Sequence, residues 1–82
     1  MNKDPYLVAF GKRILSLRKA KGWTQEYVAG EMDVDRTYYS RVECGRANVT
    51  FLGLIRLAKS LNISLAELLA PIDKKINKKS KD

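Results

Sequence analysis

The sequence lacks most of the side chains on which enzyme active sites depend. It contains no histidine and one cysteine, Cys44, among 82 residues. Histidine is the usual general base and a common metal ligand. No Ser-His-Asp, Cys-His or paired-carboxylate pattern and no glycine-rich phosphate loop is evident in the sequence. We therefore expect a protein that is not an enzyme and that needs no metal, cofactor or small-molecule ligand.

Long hydrophobic runs are also missing. No apolar run approaches the roughly 18 residues that a membrane span needs, and the first residues, MNKDPYLV, lack the apolar core of a signal peptide. A single cysteine cannot form a disulfide within one chain, which fits a reducing compartment. The sequence thus predicts a cytoplasmic protein without a membrane partner, and its length has room for one domain with a modest core.

Acidic residues are few relative to basic ones. The chain holds 16 Lys and Arg against 9 Asp and Glu, a net charge of +7, and its pI is near 9.8. Residues 1–70 hold 11 basic and 7 acidic side chains, so most of the excess lies outside the lysine-rich end. This balance favours a polyanionic partner such as nucleic acid.

Apolar residues recur at spacings of three and four, which is typical of amphipathic helices, and no strand-like alternation is present. Polar N-caps and closing glycines mark where the helices begin and end. We predict an all-α fold of five helices: residues 5–21, a second helix after Thr24, residues 36–44, a fourth helix from Thr50 to about Leu61, and a fifth from the capping box that starts at Ser64.

The end of the chain has a different composition. Pro71 is expected to stop the fifth helix, and PIDKKINKKSKD carries two isolated isoleucines among charges. We therefore predict a folded domain over residues 1–70, for DNA binding and dimerisation, and a basic, disordered tail over residues 71–82. The tail would add solubility and nonspecific attraction, with a nucleic-acid or membrane-surface role as the alternative.

The second and third helices follow each other closely enough for a helix-turn-helix, in which the second helix of the pair lies in the DNA major groove. The run TQEYVAGEMDVDRTYYSRVECGRANVT resembles the helix-turn-helix of the phage-repressor and Xre group of bacterial transcription regulators. Gln25 opens the second helix, as in that group, and Ala29 is the small residue four positions later. The sequence departs at Asp33, where the group prefers glycine, although Asp tolerates a left-handed backbone better than most residues.

The segments DRTYYSRVE and GRANVT are most similar to the small controller proteins of restriction-modification systems. The resemblance covers residues 7–70 and implies a compact five-helix, repressor-like domain. It also implies a buried ion pair between Arg18 and Glu43 and a dimer contact in the last helices. Controllers activate and repress at their own promoter, so the same behaviour is implied for this chain.

Candidate DNA contacts fall into two sets. Side chains that follow the Asp35 cap are expected to read base edges, because arginine can bind guanine O6 and N7 and threonine can contact a thymine methyl group. The base-reading set is Arg36, Thr37, Tyr38 and Arg41. The set expected to hold phosphates is Gln25, Ser40, Arg46, Asn48 and Thr50. The alternatives are that the two arginines are solvated surface residues, that Tyr38 covers the helix, and that Asn48 and Thr50 only turn and cap the chain.

Apolar residues on the last two helices exceed what one small core can cover. We assign these to a homodimer interface: Phe51, Leu52, Ile55, Leu65 and Leu69. A dimer would bind a near-palindromic operator in double-stranded DNA. The predicted function is a sequence-specific transcription regulator, with RNA polymerase as a further candidate partner. The alternative is a protein-interaction module, such as an antitoxin or adaptor, built on the same fold.

Overall fold

The computed structural model describes residues 4–77, and this part of the chain consists of five α-helices with no strand. The helices are α1 (Pro5–Ala20), α2 (Gln25–Met32), α3 (Arg36–Glu43), α4 (Phe51–Leu61) and α5 (Leu65–Asn77). The predicted all-α, five-helix fold is confirmed. Within the described residues, no helix is both long enough and apolar enough to span a bilayer.

Each helix begins at a polar side chain that accepts a hydrogen bond from a free backbone amide of the first turn. The acceptors and donors are Asp4 with Tyr6 N at 2.7 Å, Thr24 with Tyr27 N at 3.0 Å, Asp35 with Tyr38 N at 2.8 Å, Thr50 with Gly53 N at 3.0 Å and Ser64 with Glu67 N at 3.0 Å. Local sequence therefore sets the start of every helix.

The turn between α2 and α3 contains Asp33, where the sequence departs from the group that it resembles. Asp33 has φ 62° and ψ 43°, which is the left-handed conformation that glycine adopts most easily. Its backbone N–H donates to Gly30 O at 3.1 Å, and the N–H of Val34 donates to Ala29 O at 3.0 Å. These two bonds close α2 and turn the chain directly into the Asp35 cap of α3.

The core lies between the helix-turn-helix and the remaining helices. α1 packs against α3 and α5, while α2 packs against α3 and α4. The fully buried side chains come from all five helices, and the largest of them are Tyr39, Ile14, Met32, Leu57, Leu61 and Leu68. Because α3 contributes Tyr39 and Val42 to this core, one face of α3 is fixed and the opposite face is left exposed.

The crossing of α1 and α3 brings their backbones unusually close. A Cβ atom placed on Gly11 would lie 2.7 Å from Val42 O, a distance that real Cβ atoms do not show. Only glycine fits at position 11, because any side chain would overlap the backbone of α3. This close contact sets how far α3 projects from the body of the domain.

The prediction that Pro71 ends the last helix is wrong. α5 continues through Pro71 to Asn77, so residues 71–77 are helical and not a disordered tail, while residues 78–82 lie outside the described part. Proline has no N–H to donate to the carbonyl four positions earlier, that of Glu67. Arg13 replaces the missing donor: its Nη2 lies 2.6 Å from Glu67 O, and its Nε lies 3.4 Å from Leu68 O.

Candidate nucleic-acid interface

Helix α3 has a buried face and an exposed face. Tyr39, Val42 and Glu43 are buried against α1 and α2. Thr37 and Arg41 are exposed and lie on the opposite side of α3. The outer face of α3 therefore presents a hydroxyl, a methyl group and a guanidinium without any rearrangement of the fold.

The four residues predicted to read bases do not share one environment. Arg36, Thr37 and Arg41 are exposed, but Tyr38 is half-buried and packs against the core. Tyr38 lies with Thr50, Gly53 and Arg56 around a shallow groove between the turn and α4. Three of the four side chains are thus exposed, whereas only part of Tyr38 is accessible.

Arg36 is held by two side chains at the start of α2. Its Nε lies 3.4 Å from Glu26 Oε2, and its Nη1 donates to Gln25 Oε1 at 3.3 Å. The Arg36 and Glu26 side chains are 49% and 70% exposed, so this ion pair is in contact with solvent. Arg36 therefore lies on the α2 side of α3 and has defined partners before any DNA is present.

Gln25 joins this surface pair to a buried one. Its Nε2 donates to Glu43 Oε1 at 2.9 Å, while its oxygen accepts from Arg36. Glu43 in turn binds Arg18 of α1 through two hydrogen bonds, at 2.6 Å and 3.1 Å. The ion pair that the family resemblance implies is present, and it connects α1, α2 and α3 through side chains.

Opposing effects act on the pKa of Glu43. Burial alone would raise it, but hydrogen bonds from Arg18 and Gln25 and the attraction of the guanidinium hold the pKa below its ordinary value. The same pair raises the pKa of Arg18. Burial raises the pKa of the Tyr39 hydroxyl. Glu43 is therefore ionised at neutral pH, and it fixes α3 electrostatically as well as by packing.

The predicted phosphate-binding residues border the outer face of α3. Arg46 and Asn48 are exposed in the linker after α3, and Arg41 Nη2 donates to Arg46 O at 3.3 Å. Ser40 is half-buried. The Thr50 hydroxyl is occupied as the cap of α4, so one role of Thr50 is structural. The linker therefore continues the polar surface of α3 towards the N-terminus of α4.

The residues assigned to dimerisation form an apolar surface on α4 and α5. Phe51 is 67% exposed and Leu52 is 61% exposed, which is unusual for side chains of their size. Ile55, Leu65 and Leu69 are half-buried: Leu65 and Leu69 pack partly against the core, and Ile55 and Leu65 line one groove between α4 and α5. We call these five residues the α4–α5 apolar surface.

Two interacting residues were not assigned a role from the sequence. Glu26 pairs with Arg36, and Arg13 binds the carbonyls that Pro71 leaves free. The contact of Glu26 could have been predicted, because the first turn of α2 faces the start of α3, where Arg36 lies. The contact of Arg13 could not, because it joins residues 54 positions apart. No cluster of potential metal ligands occurs between residues 4 and 77.

Comparison with known proteins agrees with this geometry. Residues 14–68 match the helix-turn-helix family HTH_3. The chain is 41% identical over 68 residues to control protein C.MunI of Mycoplasma sp, a match that covers 82% of this chain and 92% of that protein. It is 34% identical over 61 residues to control protein C.BamHI of Bacillus amyloliquefaciens, covering 73% of this chain and 75% of that one.

A solved structure shows the same similarity. The restriction-modification controller protein C.AhdI from Aeromonas hydrophila superposes with a TM-score of 0.74 at 44% sequence identity. The match covers 76% of this chain and 94% of that chain. Sequence and fold therefore lead to the same group of proteins.

Proposed function

The chain belongs to the helix-turn-helix family HTH_3 and is a DNA-binding transcription regulator similar to restriction-modification controllers; from this we propose that it binds a near-palindromic operator as a homodimer and reads the sequence through α3. The observation that carries the proposal is the exposed outer face of α3, with Thr37 and Arg41 directed away from the core.

The rigid attachment of α3 supports a reading role. Sequence discrimination requires a side chain to meet a base edge at hydrogen-bond distance, so the helix that carries it must be held in place. Tyr39 and Val42 are buried, and Glu43 is bound to Arg18. Arg36, Thr37 and Arg41 are therefore presented by a fixed scaffold, and we assign base contacts to these three and a partial contact to Tyr38.

Phosphate contacts would flank the reading helix. We assign them to Arg46 and Asn48 in the exposed linker, to Ser40, and to the N-terminus of α4 beside Thr50, where free amides favour an anion. Gln25 is the remaining candidate. Since both ends of its amide are already bonded to Glu43 and Arg36, a phosphate contact by Gln25 would have to share or replace one of these bonds.

Dimerisation would occur through the α4–α5 apolar surface. Two copies related by a two-fold axis would bury Phe51 and Leu52 of each chain and place two α3 helices for half-sites about 10 bp apart. The operator would then be near-palindromic, because the symmetry of the protein is imposed on its site.

The similarity to control proteins supports a role beside a restriction-modification system. Bound next to a promoter, the protein would recruit RNA polymerase, and bound across the promoter it would block transcription. If its own promoter has one binding site beside it and another across it, the protein would activate transcription at low occupancy and repress it at high occupancy. This role places the protein in the cytoplasm with the DNA, with no catalytic activity of its own.

One observation favours a second candidate function. The exposed Phe51 and Leu52 side chains could equally bind a different protein, as in an antitoxin or an adaptor. That function does not require the outer face of α3. Substitutions on α3 therefore separate the two functions.

The test compares DNA binding by variants of the outer face. On a duplex recovered by selection from a random library, we expect Arg41→Ala and Thr37→Ala to weaken binding by about 1 to 3 kcal/mol each, roughly 5-fold to 150-fold. Binding to a shuffled duplex of the same length should change far less. Fluorescence anisotropy titrations measure both affinities.

Lys19→Ala is the matched control, because Lys19 is exposed on α1 and its loss removes one positive charge away from α3. We expect it to weaken binding to both duplexes by the same small factor. If Arg41→Ala and Thr37→Ala behaved like Lys19→Ala, the reading role of α3 would be wrong and the interaction module would be favoured.

A further inference from the structure

The contact between Arg36 and Glu26 leaves part of the guanidinium free. An arginine has five N–H donors in one plane. Glu26 lies beside Nε at 3.4 Å, and Gln25 accepts from Nη1 at 3.3 Å. Neither contact uses Nη2, which leaves its donors for a base such as guanine, whose O6 and N7 bind arginine.

Stability does not explain this contact well. Both side chains are largely exposed, and exposed ion pairs contribute little to folding. A carboxylate in the first turn of α2 also interacts favourably with the helix dipole. However, any acidic side chain in that turn would do so. If Glu26 only interacted with the helix dipole, its loss would change stability and leave the DNA sequence preference unchanged.

A negative charge at this position has an unequal effect on different DNA molecules. Near the start of α2 and α3, Glu26 repels every phosphate backbone, and it competes with phosphates for Arg36. On the operator, the bond between Arg36 and a guanine offsets this repulsion. On other DNA no such bond forms, so only the repulsion remains.

We infer that Glu26 is a specificity-determining residue, which holds Arg36 ready for a guanine and lowers the affinity of the protein for DNA that lacks this base; the inference rests on the function proposed above. Glu26 acts through Arg36 and is a positioning residue that makes no base contact itself. The sequence preference of the protein then depends on a repulsive element as well as on its base contacts.

The experiment compares Glu26→Gln with Glu31→Gln. Each substitution removes one negative charge from α2. Glu31 is exposed on the same helix and makes no ion pair within the described residues, so Glu31→Gln controls for the change in charge alone. Affinities for the selected duplex and for a shuffled duplex are measured by anisotropy over a series of salt concentrations. Circular dichroism shows that each variant is folded.

We expect Glu26→Gln to lower the ratio of operator affinity to shuffled-duplex affinity by about fivefold more than Glu31→Gln does. Freed from Glu26, Arg36 neutralises one more phosphate in the nonspecific complex. The plot of log K against log salt for the shuffled duplex should therefore steepen by about 0.9. In an Arg36→Ala background, Glu26→Gln should no longer alter the ratio beyond the Glu31→Gln control.

Equal ratios and equal salt slopes for the two glutamine variants would overturn the inference, as would a Glu26→Gln effect that persists without Arg36. These results would leave the proposed function intact, provided that the wild-type protein prefers the selected duplex. A wild-type protein that binds both duplexes equally would overturn the proposed function and this inference together.

Discussion

Glu43 is the residue at which the polar contacts of three helices meet. It binds Arg18 of α1 and Gln25 of α2 from its position in α3. Removing one partner of a buried ion pair is costly, because the remaining charge has no counter-charge. We expect Glu43→Gln to lower the free energy of unfolding by about 3 kcal/mol at pH 7, measured by urea denaturation.

The pH dependence of that difference tests its electrostatic origin. The pKa of Glu43 is lower in the folded chain than its ordinary value of 4.5. The stabilisation is therefore fully present above pH 4.5 and is lost as the pH falls through the lower folded-state pKa. Over the range from pH 7 to about pH 3, the advantage of the wild type over Glu43→Gln should stay constant down to about pH 4.5 and shrink below it. An advantage that stayed constant over this range would contradict the ion-pair explanation, and exposed Glu31→Gln is the control.

Two glycines in helices provide a matched pair of substitutions. A Cβ on Gly11 would lie 2.7 Å from Val42 O, whereas a Cβ on Gly30 meets no atom within 4 Å. Gly11→Ala should destabilise the fold by about 1 to 3 kcal/mol, because α1 and α3 must separate. Gly30→Ala should stabilise it by about 0.5 to 1 kcal/mol, since alanine loses less entropy in a helix.

Thermal and urea unfolding of the two alanine variants measure this difference. If Gly11→Ala lost no stability, the α1–α3 contact would be less tight than described, and if Gly30→Ala lost stability, the open space at Gly30 would be contradicted. Because we assign the base contacts to α3, Gly11→Ala should also weaken operator binding, and Gly30→Ala should not.

At the residue scale, the sequence was most informative where a role depends on near neighbours. The cap residues Thr24, Asp35 and Thr50 could be predicted because each acts on an amide within three positions. The environment of Arg36 could not, because the choice among Glu26, Gln25 and solvent depends on how α2 and α3 cross. The half-buried position of Tyr38 could not be predicted either, because it also depends on how the helices pack.

At the element scale, the continuation of α5 past Pro71 depends on Arg13. The guanidinium of Arg13 donates to Glu67 O, the carbonyl that Pro71 cannot satisfy. Arg13→Ala should therefore destabilise the fold by about 1 to 3 kcal/mol, the cost of an acceptor left without its partner. In a Pro71→Ala background the same substitution should cost less, because residue 71 can then donate its own N–H.

A double-mutant cycle with urea denaturation measures this coupling, which should be about 1 kcal/mol. Arg56→Ala is a suitable control, since Arg56 is an exposed arginine on α4 that borders the groove beside Tyr38. Additive effects of Arg13→Ala and Pro71→Ala would show that Arg13 stabilises the molecule without replacing the missing donor.

The starts and ends of helices differ in how far they could be predicted. All five helices of the described residues could be predicted from local sequence, as could the caps Thr24, Asp35, Thr50 and Ser64. At Asp33 the sequence indicated only that a left-handed backbone is tolerated, and the structure has it. The end of α5 could not be predicted, because proline usually stops a helix and the compensating donor is 54 positions away. Tertiary contacts overrode a local rule, and half-buried Ile72 packs against the core as a result.

At the scale of the whole molecule, the α4–α5 apolar surface predicts self-association. Leu52→Lys should weaken dimerisation by more than about tenfold, because a charge would be buried in the contact between two copies. The stability of the single chain should change by less than about 0.5 kcal/mol, since Leu52 is exposed in it. Tyr27→Ser is the control, because Tyr27 is a large exposed side chain on α2, outside this surface.

Sedimentation equilibrium of the three proteins measures the association. We expect a dimer for the wild type and for Tyr27→Ser at micromolar concentration, and a single chain of 9.3 kDa for Leu52→Lys. A wild type that sediments as a 9.3 kDa species with and without DNA would contradict the dimer. The sequence indicated surplus apolar residues on α4 and α5, but the identity of the partner is not encoded in their spacing.

The most direct measurement for the central claim, that α3 of a dimer reads DNA sequence, is selection of bound duplexes from a random library at two salt concentrations. We predict a two-fold symmetric motif that survives at the higher salt, because base contacts add affinity that counterion release does not supply. Recovery of no motif, together with binding that disappears steeply as salt rises, would contradict the account, since charge alone would then explain the binding.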